Sequence, residues 1–161
     1  MDKGKIYIYA GDGHGKSQAA LGSAVQAAMT GENVVLIQFL KGRTPQNWEL
    51  LRRMEPELKV FCFEKSDENF EMLSEERKQE EISNIKNGIG FTRKVLSTGE
   101  CNLLVLDEVL GLVEQGIVQT EELIGLLELR GETDVILTGI HLSEDVRVLA
   151  DEVSIIENVS H

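Results

Sequence analysis

Seven residues near the start of the chain have the types and the spacing needed to bind phosphate. The segment Gly11-Asp12-Gly13-His14-Gly15-Lys16-Ser17 follows an apolar run and precedes an alanine-rich stretch, which is the strand-loop-helix context of a phosphate-binding loop. The glycines let successive backbone N–H groups face an anion, and the following helix presents the positive end of its dipole to the same point. Lys16 is then expected to reach the terminal phosphates, and the hydroxyl of Ser17 to hold Mg²⁺.

The loop departs from the general pattern G-x-x-x-x-G-K-[ST] at one position, because Ala10 stands where the first glycine belongs. A Gly-Lys-Ser triplet is common by chance, and a glycine-rich turn without a ligand is the alternative interpretation. The position of the triplet, after the first apolar run and before a segment of helical length, favours the phosphate site.

Two adjacent carboxylates, Asp107 and Glu108, directly follow the apolar run at residues 103–106. This pattern resembles a Walker B strand, whose tip carries an acid toward a bound metal. Mg²⁺ takes oxygen ligands and usually keeps waters that carboxylates orient, so Ser17 with Asp107 or Glu108 is predicted to form a metal site. The alternative is that both acids cap a helix that begins near Val109.

Two further segments end apolar runs with polar groups. Lys41 and Arg43 follow the second run, where they either meet an anionic ligand or form an ordinary basic turn. Thr138-Gly139 follows a later run and either faces the same crevice or only turns the chain.

The apolar runs are short, rich in Val and Ile, and alternate with segments of helical length, which predicts buried strands and helices. The predicted strands cover residues 6–9, 34–39, 60–63, 103–106, 135–137 and 153–156, and the predicted helices cover residues 15–30, 44–54, 74–97, 120–129 and 143–150. The alternation predicts an α/β fold of three layers with a mostly parallel central sheet and helices on both faces, and the predicted phosphate loop makes this a P-loop NTPase-like fold. Ligands of such sheets collect at the carboxyl ends of the strands, so the loop and the carboxylates are expected to meet.

Size and charge restrict the remaining possibilities. A chain of 161 residues fits one domain spanning residues 1–161, and its net charge of −12 argues against nucleic acid or a membrane surface as a partner. The acidic stretch from Glu64 to Glu81 is predicted to be a solvated surface. Cys62 and Cys101 are predicted to be buried thiols rather than metal ligands. The N-terminus lacks the apolar core of a signal peptide, so a soluble cytoplasmic protein is expected.

Taken together, these motifs resemble those of the P-loop type ATP:corrinoid adenosyltransferases. The usual loop of that family, Gly-Asn-Gly-Lys-Gly-Lys-Thr, is likewise preceded by a residue other than glycine, as Ala10 precedes Gly11 here. Further matches occur in the same order along most of the chain. They are Gln38-Phe39-Leu40-Lys41-Gly42, Asp107-Glu108, Arg130, Thr138-Gly139 and Leu149-Ala150-Asp151-Glu152-Val153.

The resemblance implies transfer of the 5′-deoxyadenosyl group of ATP to the Co(I) centre of a reduced corrinoid, with release of triphosphate. It implies Lys16 and Glu108 as catalytic residues, Mg²⁺ on Ser17 with Asp107 or Glu108, and nucleotide contacts from the loop, Lys41 and Arg130. A homodimer, and a reductant for which a flavoprotein is a candidate, are also implied. Two other functions stay open: a P-loop ATPase that uses Asp107 and Glu108, and a non-catalytic module that binds ATP or corrinoid.

Three departures from the family pattern bear on activity. His14 and Asp12 replace a lysine and an asparagine, which makes the loop less cationic, and Ile140 follows Thr138-Gly139 where the family has arginine. The region matching the family's aromatic corrinoid loop offers only Phe63 and Phe70.

Overall fold

The computed structural model describes residues 2–43 and 48–159 of the chain. Strands and helices alternate along the chain, as the sequence predicts. The strands are β1 (Ile6–Ala10), β2 (Val34–Gln38), β3 (Leu58–Cys62), β4 (Leu103–Asp107), β5 (Asp134–Gly139) and β6 (Glu152–Ile155), and the helices are α1 (Lys16–Met29), α2 (Glu75–Thr98), α3 (Val109–Glu114), α4 (Thr120–Glu128) and α5 (Glu144–Arg147). Two 3₁₀ helices, Glu49–Met54 and Phe70–Met72, precede β3 and α2.

The six strands form one parallel sheet in the order β3-β2-β4-β5-β1-β6. Every residue of β2 and of β4 is buried, as expected for central strands covered on both faces. β5 lies between β1 and β4, so the loop after β1 and the acids after β4 flank the carboxyl end of β5. The predicted α/β class and parallel sheet are confirmed.

Alternate residues of the strands build two apolar layers. On one face, the small side chains Ala20, Ala24 and Ala28 of α1 pack on strand residues that include Leu36 and Val105. On the other face, α2, α3, α4 and α5 bury side chains against the opposite residues of the same strands. That layer includes Ile8, Ile37, Leu106, Ile89, Leu112, Leu123 and Val146. The helices therefore hold the sheet from both sides, in three layers.

Two sequence predictions need correction, one about a helix and one about a cysteine, and one further short helix is present. The helix predicted over residues 44–54 is a 3₁₀ helix at Glu49–Met54, and residues 44–47 lie outside the described residues. The short helix α3, considered only as an alternative, follows Glu108 directly. Cys62 is exposed, whereas Cys101 is buried as predicted.

The amino ends of α2, α4 and α5 differ in their capping. The hydroxyl of Ser74 accepts a hydrogen bond from the N–H of Arg77 at 3.3 Å and caps α2. Ser143 precedes α5 without a side-chain cap bond, and Thr120 is the first residue of α4 rather than its cap. Among the described residues, no helix has both the length and the apolar character needed to cross a bilayer.

Candidate functional site

The predicted phosphate loop connects β1 to α1 and borders a cavity of about 520 Å³. Gly15 has a φ of 107°, a left-handed conformation that favours glycine and lets the chain enter α1 abruptly. The buried ammonium of Lys16 donates to the carbonyl oxygen of Gly13 at 3.0 Å, so the lysine folds back over its own loop. The cavity is lined by Asp12, Gly13, His14, Gly15, Lys16, Ser17, Gln18, Arg43, Asn69, Glu108 and Ile140.

Asp107 joins the loop to the end of β4. One carboxylate oxygen, Oδ1, accepts hydrogen bonds from the hydroxyls of Ser17 and Thr138, each at 2.8 Å. The other oxygen, Oδ2, is buried and has no hydrogen-bond partner within the part of the chain that the structure describes. Burial raises the pKa of Asp107 above its ordinary value, although the two hydroxyls and Lys16 oppose the shift. Such a buried, half-satisfied carboxylate is a suitable group to serve a cation.

Thr138 also organises Glu108. Its Oγ1 accepts a hydrogen bond from the backbone N–H of Glu108 at 2.8 Å, so one threonine at the end of β5 contacts both acids. Glu108 has a φ of 62°, and its side chain makes no capping bond to α3. The helix that the capping alternative placed near Val109 is therefore present, with Glu108 at its N-cap position, but the side chain of Glu108 does not cap it. Thr138 contacts both acids and belongs to the candidate site. Burial, and then the nearby Asp107, raises the pKa of Glu108, although Arg43 opposes the shift.

Arg43 brings a guanidinium group to the cavity wall. Its Nη1 lies 3.5 Å from Oε2 of Glu108, while Nη2 pairs with Glu71 and, at 3.1 Å, with Glu114. Burial lowers the pKa of Arg43, but its hydrogen bonds to Glu71 and Glu114 outweigh that effect and raise it overall. A Cβ atom added at Gly111 would approach Nη1 to 2.9 Å, so the guanidinium packs tightly on α3.

Comparison with known proteins agrees with the motifs assembled here. A family model described as ATP:corrinoid adenosyltransferase BtuR/CobO/CobP matches residues 2–161. The chain belongs to this family. The resemblance inferred from the sequence is thus confirmed over nearly the whole chain.

Curated relatives of the adenosyltransferase family align along almost the same span. The chain is 31% identical over 162 residues to corrinoid adenosyltransferase CobA of Salmonella typhimurium (strain LT2), covering 99% of this chain and 80% of that protein. It is 27% identical to the corrinoid adenosyltransferase of Escherichia coli (strain K12), with the same coverage. The corrinoid adenosyltransferase of Pseudomonas aeruginosa is 25% identical, with 99% of this chain and 78% of that protein covered.

Two residues that the resemblance assigned to nucleotide binding in this adenosyltransferase lie away from the cavity. The ammonium of Lys41 pairs with Asp67 at 3.2 Å. Arg130 donates from Nε to the carbonyl oxygen of Gly4 at 2.6 Å, next to the amino end of β1 and thus at the opposite sheet edge from the phosphate loop. The structure therefore brings neither residue to the site.

The acidic stretch that follows β3 is only partly solvated. The prediction of a solvated surface is wrong for Glu64 and Glu81, because both side chains are buried. Glu64 accepts the backbone N–H of Leu40, and Glu81 accepts those of Lys65 and Ser66 at 3.0 and 3.4 Å. Burial is the main reason that the pKa of Glu64 rises to about 7, and Glu81 adds to the shift. No signal in the sequence marks these two acids among their charged neighbours.

The aromatic residues considered for the corrinoid side are largely covered. Phe70 is buried, and the ammonium of Lys78 lies 5.8 Å from its ring centroid. Phe63 is half-buried, with its centroid 5.5 Å from that of Phe91. These rings stabilise the segment after β3 rather than present an open aromatic surface.

Proposed function

We propose that the chain transfers the 5′-deoxyadenosyl group of ATP to the cobalt of a reduced corrinoid. In this reaction the Co(I) electron pair forms a bond to the 5′ carbon, the bond from that carbon to the triphosphate oxygen breaks, and triphosphate leaves with its electrons. Membership of the adenosyltransferase family supports this reaction. The structural observation that carries this proposal is the 2.8 Å hydrogen bond between Ser17 and Asp107, which joins the phosphate loop to the acid at the end of β4.

The contribution of the protein is positioning and charge neutralisation, because the nucleophile belongs to the corrinoid. The backbone N–H groups at the start of α1 face the leaving triphosphate. The ammonium of Lys16, which bonds to the Gly13 carbonyl in the free protein, moves to a phosphate oxygen. Donors placed beforehand where negative charge develops are an efficient way to lower the barrier.

The residues at the junction of loop and sheet suit Mg²⁺. Ser17 offers a hydroxyl, and Asp107 offers a buried oxygen without a hydrogen-bond partner among the described residues. Mg²⁺ in proteins is usually bound by one or two protein groups together with substrate phosphates and water, so an ion held by Ser17 and Asp107 would take its other ligands from phosphate and water. When bound, Mg²⁺ supplies positive charge to the leaving triphosphate.

The family resemblance supplies the remaining partners of the proposal. They are a reductant that delivers Co(I), for which a flavoprotein is a candidate, and a second copy of the chain in a homodimer. A cytoplasmic location belongs to the same proposal.

Analysis of the phosphate product tests the reaction. ATP, Mg²⁺ and the protein are incubated without oxygen, with and without chemically reduced cobalamin, and the products are followed by phosphorus NMR. We expect triphosphate only when the corrinoid is present, and loss of that product in Lys16→Ala but not in Lys94→Ala, an exposed position on α2. Orthophosphate formed without corrinoid would instead indicate the ATPase, and ATP binding without any product would indicate the binding module.

A further inference from the structure

The phosphate loop rests on a segment from the far end of the chain, residues 156–158, which we call the C-terminal brace. The N–H of Ile156 donates to the carbonyl oxygen of Ala10 at 2.7 Å, and the N–H of Gly13 donates to the carbonyl oxygen of Ile156 at 2.9 Å. The N–H of His14 donates to the side-chain oxygen Oδ1 of Asn158 at 3.1 Å. The brace thus continues the pairing of β6 with β1 into the loop itself.

The fit between loop and brace explains a glycine in the loop. A Cβ atom added at Gly13 would lie 2.7 Å from the carbonyl oxygen of Ile156 and 2.8 Å from Cα of Glu157, both of them backbone atoms. Gly13 does not have a left-handed φ, so alanine is excluded there by space and not by conformation. The loop and the brace are therefore in close backbone contact.

The brace also affects which backbone N–H groups of the loop are available to bind a phosphate. The N–H groups of Gly13 and His14 donate to the brace, and none of its three residues, all of which the structure describes, lines the cavity. Within the described part of the chain, the N–H groups of Gly15, Lys16 and Ser17 have no hydrogen-bond acceptor. These three amides stand at the start of the 14-residue helix α1, where the helix dipole adds to their attraction for an anion.

We propose that Asn158 is a positioning residue for ATP. Its side-chain oxygen accepts the N–H of His14 and so fixes the loop in the shape that directs the three following amides toward the triphosphate. A loop that is already ordered loses less conformational entropy when ATP binds. The inference rests on the ATP-binding part of the proposed function and does not involve the corrinoid.

Calorimetry of ATP binding, in the presence of Mg²⁺ and without corrinoid, tests this role. Asn158→Ala removes the acceptor for His14 from an exposed position, and we expect the Kd for ATP to rise about three- to tenfold. Glu157→Ala, the exposed neighbour in the brace, is the matched control and should stay within about twofold of the unmodified chain. In transfer assays, the KM for ATP should rise in Asn158→Ala while kcat at saturating ATP and the KM for corrinoid stay unchanged.

A second pair of variants tests the backbone contact. Gly13→Ala should weaken ATP binding at least as much as Asn158→Ala, because its Cβ displaces the brace. Gly22→Ala, in α1 with open space around its added Cβ, is the control and should bind ATP normally. Equal ATP affinity of Asn158→Ala and the unmodified chain, or an equal loss in Glu157→Ala, would overturn the inference. If the chain binds ATP but makes no alkylated corrinoid, the proposed function is contradicted. The effect of Asn158→Ala on the affinity for ATP can still be measured in that case.

Discussion

Asp107 and Glu108 are adjacent in the chain but have different partners. Asp107 points toward the phosphate loop, where one oxygen accepts the hydroxyls of Ser17 and Thr138 and the other is buried without a hydrogen bond among the described residues. Glu108 faces Arg43. Glu108 has a left-handed backbone conformation, which directs its side chain away from that of Asp107. Of the two acids, Asp107 is therefore the one to which the proposed function assigns the contact with Mg²⁺.

Replacement of Asp107 by asparagine tests that assignment. Asn keeps an oxygen for Ser17 and Thr138 but loses the charge, so we expect the Mg²⁺ concentration for half-maximal activity to rise about tenfold or more. The free energy of unfolding should not fall, because burial already disfavours the carboxylate. Magnesium titrations of activity and urea unfolding measure the two effects. The exposed Asp145→Asn is the control, and an unchanged magnesium requirement in Asp107→Asn would contradict the assignment.

Glu64 gives the protein a pH-dependent stability. Its pKa in the folded state is about 7, mainly because of burial, so the folded state holds a proton that the unfolded state releases at lower pH. Stability contributed by this group is therefore lost as the pH rises toward 7. In Glu64→Gln, which can still accept the Leu40 N–H, this loss disappears. The stability of Glu64→Gln relative to the unmodified chain should grow by roughly 2–4 kcal/mol between pH 4.5 and 8, as measured by urea unfolding. A constant difference over that range would show that Glu64 is not the responsible group.

The turn after β2 connects three elements through one side chain. Leu40 has a φ of 48°, and Lys41 and Arg43 follow it in the same turn. Lys41 pairs with Asp67, whereas Arg43 turns inward and joins the 3₁₀ helix Phe70–Met72, through Glu71, to α3, through Glu114. Both cations follow the same apolar run in the sequence. Spacing alone could not decide between them, because only the contacts of the folded chain show that Arg43 lines the cavity and that Lys41 pairs with Asp67.

Arg43→Lys tests whether the branched guanidinium is needed at this junction. An ammonium is a single point charge and cannot satisfy Glu71, Glu108 and Glu114 together, so we expect a loss of about 2 kcal/mol of unfolding free energy. Arg77→Lys is the matched control, because the pair of Arg77 with Glu68 is half-exposed on both sides and should change stability by less than about 0.5 kcal/mol. If Arg43→Lys and Arg77→Lys have the same free energy of unfolding, the guanidinium of Arg43 is not needed to join these elements.

The order of strands and helices can largely be predicted from the sequence, whereas the contacts between segments far apart in the chain cannot. Val- and Ile-rich runs such as residues 34–39 and 103–106 mark central strands because burial on both faces requires continuous apolar stretches. The 3₁₀ helix Glu49–Met54 lacks such a signal, because its helix-forming residues equally predict an α-helix. The bond from His14 to Asn158 spans 144 positions along the chain. No local pattern predicts a pairing of that range.

At the scale of the whole molecule, the parallel sheet places the ends of β1, β4 and β5 side by side. This explains why the phosphate loop and Asp107 could be predicted to meet from strand ends alone. It also explains why Arg130, which follows α4 and precedes β5, could not belong to the same edge of the sheet. The order of the motifs along the chain is sufficient to identify the family. The arrangement of the strands in the sheet determines which of the matched residues reach the cavity.

The formation of a cobalt–carbon bond is the most direct test of the account. Chemically reduced cobalamin, ATP, Mg²⁺ and the protein are combined without oxygen, and the visible spectrum is recorded before and after exposure to light. We predict a corrinoid product that is stable in the dark and is photolysed with loss of its adenosyl group, formed in step with triphosphate. A corrinoid spectrum that stays that of the reduced starting material while ATP is bound or hydrolysed would contradict the proposed function.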